Sequence, residues 1–293
     1  MLRTENLRIS LTNKRITDKR TTTPHLVENV SLAFNPGELT LILGANGAGK
    51  STLLNALAGT RVRHPALQQQ GRVTLDNQDL AQFPAKALAR RRAVMPQQVQ
   101  LDFPFKVHEV IAMGRSPYGM DSQSQRITDQ AMALLEVDHL QHRDYPSLSG
   151  GEQQRVQLAR VLAQIWPHGD KPRPQADHEA GHTKRHRVLL LDECTSALDP
   201  AHQHQVLDII KQFTTPDVIS CAVLHDLPLA ARYGDRVILM KQGRVIADGT
   251  PRQVLTADNL AATYDLRTRI LQHQEVDHPI IVGLGRATHR GLP

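Results

Sequence analysis

The chain has few cysteines, few aromatic residues and no apolar run long enough to span a membrane. Only two of its 293 residues are cysteine, Cys194 and Cys221. Each sits in an apolar, strand-like run, which excludes a disulfide-stapled secreted scaffold and predicts two buried, reduced thiols. Aromatic residues make up 3% of the chain and none stands before Phe34, so that region offers no ring as a stacking platform. A membrane helix needs about 20 consecutive apolar residues, and no uncharged stretch comes close to this. No apolar segment of signal-peptide length follows Met1 either. The expectation is a cytosolic chain that reaches any membrane only through partner chains. Charge of one sign is also scarce, since 35 Lys and Arg against 29 Asp and Glu leave a net +6. An excess that mild reads as a solvated surface and does not call for nucleic acid or anionic lipid. The chain contains no internal repeat.

The apolar residues, 40% of the chain, suffice for a substantial core in one large domain or two smaller ones. The most informative stretch is residues 44–51, Gly-Ala-Asn-Gly-Ala-Gly-Lys-Ser. An apolar run at 39–43 precedes it, and residues 52–58, opening with Thr52, have good helix propensity. Strand, glycine-rich turn, helix is the order that a phosphate-cradling loop requires. Gly44, Gly47 and Gly49, with Asn46 and Ala48 between them, let successive N–H groups converge on an anion at a helix N-terminus, where the dipole already favours negative charge. Lys50 adds a point charge for the β and γ phosphates, and Ser51 a hydroxyl for Mg²⁺. An ordinary glycine turn before a helix is the plain alternative; the full eight-residue pattern in this context favours phosphate.

Alternation predicts strands at 7–11 and 30–34, joined by a polar connection whose Lys14, Arg15, Lys19 and Arg20 read as a solvated loop. A short strand follows at 71–75, a helix begun by Pro84, and a strand at 93–95 ending in Pro96-Gln97-Gln98. The pattern then turns helical, with Val110, Ile111, Ile127, Ala131 and Leu134 in helical spacing, and residues 100–165 read as an inserted helical subdomain. At 148–155 stands Leu-Ser-Gly-Gly-Glu-Gln-Gln-Arg. Ser149 and Glu152 make a capping box, while Gly150 and Gly151 are not needed for capping and expose a second set of backbone donors suited to phosphate. Residues 167–187 are rich in proline, glycine and histidine and read as a surface loop insertion. His178, His182 and His186 recur every four residues there, but Gly181 weakens a helix and no further metal ligand is evident. The continuous apolar run 188–191 predicts a strand buried on both faces, and it ends in Asp192-Glu193. Two adjacent carboxylates at such a place are costly for stability, which favours a functional role. A turn at 196–200 leads into an amphipathic helix carrying Val206, Leu207, Ile210 and Phe213. The apolar strand 218–224 ends in His225, a lone histidine as readily structural as functional. A hairpin-like pair at 236–247, a helix near 259–264 and weaker strands near Ile270 and Ile280 complete the chain.

Residues 44–51, Gln97, 148–153, Asp192-Glu193, 196–199 and His225 occur in the order seen in the nucleotide-binding subunits of ABC transporters, and the chain resembles that family as far as about residue 256. The resemblance implies an α/β, P-loop NTPase fold with a mainly parallel core sheet, an antiparallel β subdomain and the helical subdomain at 100–165. A single ATPase domain would span residues 1–293, with a C-terminal extension at 257–293. ATP and Mg²⁺ are the implied cofactors. Two copies would face head to tail, the phosphate loop of one holding ATP while Ser149, Gly150 and Gly151 of the other close over the γ phosphate. Asp192 resembles the Walker B aspartate of the Mg²⁺ shell and Glu193 the general base. His225 resembles the switch histidine, and Asp199 the aspartate that links the two sites. Gln97, with Gln98 as the adjacent alternative, resembles the glutamine that touches Mg²⁺ and couples the site to the membrane partner. One departure is that the family usually stacks adenine on an N-terminal aromatic residue, which is missing here; Arg15 or a neighbour could stack by its planar guanidinium.

The run 107–115, with His225-Asp226-Leu227, 230–236 and 248–251, resembles the branch that imports haem, iron-siderophores and vitamin B12, with haem the cargo best matched. The implied partners are two membrane-spanning permease subunits and, through them, a periplasmic substrate-binding protein, at the cytoplasmic face of a bacterial inner membrane. Two other classes are less well served. ABC ATPases acting on nucleic acid or ribosomes usually carry a long coiled-coil insertion or a second cassette, and neither is found here. A P-loop kinase has no use for residues 148–153.

Overall fold

The computed structural model describes residues 1–11, 25–60, 67–99, 101, 103–167 and 185–286. Alternating side chains make Leu2–Leu11 (β1) and His25–Phe34 (β2) an antiparallel pair, with Leu2 opposite Phe34 and Ser10 opposite His25. Their inward residues, among them Leu7, Ile9, Val27 and Val30, are buried. Leu39–Gly44 (β3) is buried at every position, and Lys50–Leu57 (α1) follows it directly after the glycine turn. Next come Leu67–Leu75 (β4), Gln78–Asp79 (β5), Ala85–Ala89 (α2), entered from Pro84, and Arg92–Met95 (β6). Three helices follow, Val107–Ala112 (α3), Ser122–Leu134 (α4) and Gly150–Ile165 (α5). Arg187–Asp192 (β7), Pro200–Phe213 (α6), Val218–Val223 (β8) and Leu227–Tyr233 (α7) continue the alternation. Last are Arg236–Lys241 (β9), Arg244–Gly249 (β10), Pro251–Val254 (α8), Ala257–Tyr264 (α9), Leu266–His273 (β11) and Val276–Arg286 (β12).

The chain divides into two compact units, one of residues 1, 35–37 and 74–220 and the other of 2–34, 38–73 and 221–293. In the first, β6 runs parallel to β7, Ala93 opposite Leu189, and α5 packs on β6 and against α3 and α4. Arg115 is fully buried there; its guanidinium donates to the Ala163 carbonyl at 2.6 Å and lies 4.0 Å from the Tyr118 ring centroid. Trp166 and Phe213 meet edge to face with ring centroids 4.9 Å apart. In the second unit β3 runs parallel to β9, Gly44 opposite Met240, while β10 returns antiparallel to β9. A hairpin of β11 and β12 packs on α9 and α7.

The expected strands and helices are present. β1 and β2 extend beyond their expected limits, because polar residues alternate through them and blur their ends. The helix begun by Pro84, expected to reach Arg91, ends at Ala89. Cys221 lies in β8, but Cys194 lies in the turn after β7 and not in a strand; both are buried and neither is joined in a disulfide. Lys14, Arg15, Lys19, Arg20, His178 and His182 lie outside the described residues. Among the described residues no helix is long and apolar enough to cross a membrane.

Candidate nucleotide site

The phosphate loop belongs to the second unit. β3 delivers the chain into it, and α1 starts at Lys50 with Gly49 as its N-cap and no side-chain hydrogen bond capping its first N–H groups. Those donors point out of the helix start, as an anion requires. Two glycines are dictated by close approach. A Cβ on Gly44 would lie 2.3 Å from the Met240 carbonyl oxygen, and one on Gly49, whose φ is +97°, 2.2 Å from that of Leu26. The loop is braced from behind, since Gly243 donates its N–H to the Ala48 carbonyl at 2.9 Å and Glu28 donates its N–H to the Gly243 carbonyl at 2.8 Å. Arg244 donates to both Glu28 carboxylate oxygens, from Nη2 at 2.9 Å and from Nε at 3.0 Å. Lys50 is buried and folds back on its own loop, donating to the carbonyls of Gly44 at 2.8 Å and Ala45 at 3.1 Å. Asn46 and Gly47 are exposed at the tip, Ala48 is buried behind it, and Ser51 and Thr52 are half-buried on the first turn of α1. His225 is exposed in the same unit, one residue beyond Leu224, whose N–H reaches the Ile42 carbonyl of β3 at 3.3 Å.

The remaining candidates lie in the first unit. The capping box at the start of α5 is formed: Ser149 donates its N–H and hydroxyl to the Glu152 carboxylate at 2.7 and 2.8 Å, and its oxygen accepts from the Glu152 N–H. The backbone and hydroxyl bonds from Ser149 hold the Glu152 carboxyl below the usual range. Ser149, Gly150, Gly151 and Asp199 line one open cavity of about 570 Å³, with Arg155 and His202 on its wall. Gln97 and Gln98, both exposed, line a second of about 350 Å³ with Gly150, Gln153 and Gln154. Asp192 ends β7 and is only 5% exposed, whereas Glu193 is half-buried with a left-handed φ of +55°. Burial pushes the thiol of Cys194, next in the chain, up to about 12.

Gln154 was not singled out in the sequence. Its amide donates to the Glu193 carbonyl at 2.7 Å and accepts from the Ala197 N–H at 3.0 Å, joining α5 to the turn that carries the two carboxylates. Gln154 lies four residues after Gly150, hence on the same helix face, which was the available signal. Gln203 supports the same turn by donating to the Thr195 carbonyl at 3.1 Å.

A glycine loop of this shape on an α/β frame defines a P-loop nucleotide-binding protein. The ABC transporter family model matches residues 27–165. The hemin import ATP-binding protein HmuV of Pseudomonas fluorescens is 43% identical over 287 residues, covering 96% of this chain and 99% of that relative. The protein of the same name from Pseudomonas aeruginosa is 43% identical over 283 residues, with the same coverages. Among solved structures, a transporter described as of the metal-chelate type, in an inward-facing conformation, matches with a TM-score of 0.70 at 25% identity and covers 97% of each chain. A dimeric ATP-binding cassette bound to ADP and phosphate matches at 0.66 and 24% identity, over 86% of this chain and 99% of that one. The chain belongs to the ATP-binding subunits of ABC transporters, ATPases coupled to transport.

Proposed function

We propose that this chain hydrolyses ATP to drive import of haem, working as a head-to-tail pair beneath two membrane-spanning permease subunits at the cytoplasmic face of a bacterial inner membrane. A periplasmic binding protein delivers the cargo to the permease. The observation that carries the cargo is the 43% identity, over nearly the whole chain, to relatives named for hemin import. Iron-siderophore or vitamin B12 import by the same branch is the alternative.

The N–H groups of residues 44–51 bind the β and γ phosphates of ATP, with Lys50 as counter-charge; the uncapped start of α1 and the side-chain-free approaches at Gly44 and Gly49 support this. Ser51, Asp192 and Gln97 offer hydroxyl, carboxylate and amide oxygens, the hard donors that suit Mg²⁺. When bound, that ion neutralises charge on the phosphate oxygens. Glu193 takes a proton from water as the water oxygen attacks the γ phosphorus, and the bond from phosphorus to the bridging β-phosphate oxygen breaks, releasing ADP. His225 reads the presence of the γ phosphate. Ser149, Gly150 and Gly151 close on the ATP held by the other copy, and Asp199 links the two sites.

The test is to co-purify the chain with its permease, reconstitute both in liposomes and measure ATP hydrolysis with a binding protein loaded with haem, a ferric siderophore or vitamin B12. Haem is expected to stimulate hydrolysis severalfold. Stimulation by one of the other cargoes alone would reassign the importer.

A further inference from the structure

His202 is the third residue of α6 and stands on the wall of the cavity lined by Ser149, Gly150, Gly151 and Asp199. It engages both oxygens of the Asp199 carboxylate: its backbone N–H donates to Oδ1 at 3.0 Å, and its ring Nδ1 lies 2.7 Å from Oδ2. An N-cap aspartate ordinarily needs only one oxygen for the helix. The second contact fixes the plane of the carboxylate. The backbone bond first, and the ring bond after it, hold the Asp199 carboxyl below its usual range. Side-chain exposures of 35% for His202 and 60% for Asp199 leave a pair this wet little role in stability, so what it supplies is orientation.

The other charged groups at the cavity have partners of their own. Glu152 is bound to Ser149, and Arg155 donates to the carbonyls of Leu135 and Glu136, both at 3.2 Å. The turn from Glu193 to Asp199 is therefore held by Gln154 near its start and middle, by Gln203 at Thr195 and by His202 at its end.

We infer that His202 is a positioning residue of the nucleotide site, presenting the Asp199 carboxylate in the one orientation that lets the turn meet a second copy of the chain. This rests on the reading that two copies share each ATP. A misoriented Asp199 would slow closure of the pair while leaving the phosphate loop untouched.

The test compares the full-length wild type with His202→Leu, which removes the ring donor, and His202→Asn, whose amide nitrogen can occupy the place of Nδ1. His202→Leu should lower kcat about tenfold and reduce the ATP Hill coefficient from about two toward one, with binding of a fluorescent ATP analogue unchanged. His202→Asn should recover most of the loss. Wild-type kcat and cooperativity in His202→Leu would overturn the assignment, as would equal impairment of the two variants, which would make the role one of packing. A wild type that hydrolyses no ATP would instead overturn the functional reading beneath it.

Discussion

Asp76 lies in a turn after β4 with a left-handed φ of +51°, and its carboxylate is shared by the chain-terminal ammonium at 2.5 Å, His186 Nδ1 at 2.6 Å and Arg91. Burial pushes this carboxyl up, but hydrogen bonds from the ammonium and from the His186 ring and backbone outweigh it and bring it down to about 2 from 3.8. A carboxyl depressed in the folded state adds stability above its unfolded value and loses it as pH falls. Asp76 should contribute about 2 kcal/mol above pH 4, vanishing as pH approaches 2. Denaturant titrations at stepped pH check this: Asp76→Asn should be less stable than wild type at pH 7, and the gap should close toward pH 2. A constant gap would assign the effect to shape. None of this was legible in the sequence, because Asp76 meets Arg91 and His186 only through folding, 15 and 110 positions away. The same holds for Gln154 and His202, whose partners are set by the path of the turn after β7. Residues 44–51 could be read directly, because the motif is contiguous in the sequence.

At the scale of elements, continuous apolar runs such as β3, β7 and β8 declare themselves, since a strand buried on both faces has no polar side to blur its period. The phosphate loop needs more than its own motif. Gly49 is pressed on Leu26 and Ala48 accepts from Gly243, so β2 and the turn between β9 and β10 shape a loop that β3 delivers. Gly49→Ala should cost about 1–3 kcal/mol through its left-handed backbone and its approach to Leu26, and should weaken ATP binding. Thermal unfolding with and without ATP checks both. A variant that melts like wild type and is stabilised equally by ATP would remove the brace from the account.

At the scale of the whole molecule, the proposed shared site makes catalysis and assembly the same event. Glu193→Gln removes the general base, an effect of about 10²–10⁴ on turnover, and leaves the donors of residues 44–51 intact. The expected outcome is an ATP-bound dimer that persists, seen as a doubling of mass by light scattering when ATP and Mg²⁺ are added and absent with ADP. A variant that hydrolyses ATP at the wild-type rate would remove Glu193 from the base role.

The brace on the phosphate loop also sets a timetable. During synthesis the residues of the motif leave the ribosome early, but Gly243, which holds the loop from behind, and β9, which flanks β3, follow about 190 residues later. At translation rates of roughly 5–20 residues per second the gap is roughly 10–40 s. Throughout that interval the nascent chain carries a motif without its support, so ATP can stabilise the loop only once β9 and Gly243 have joined it.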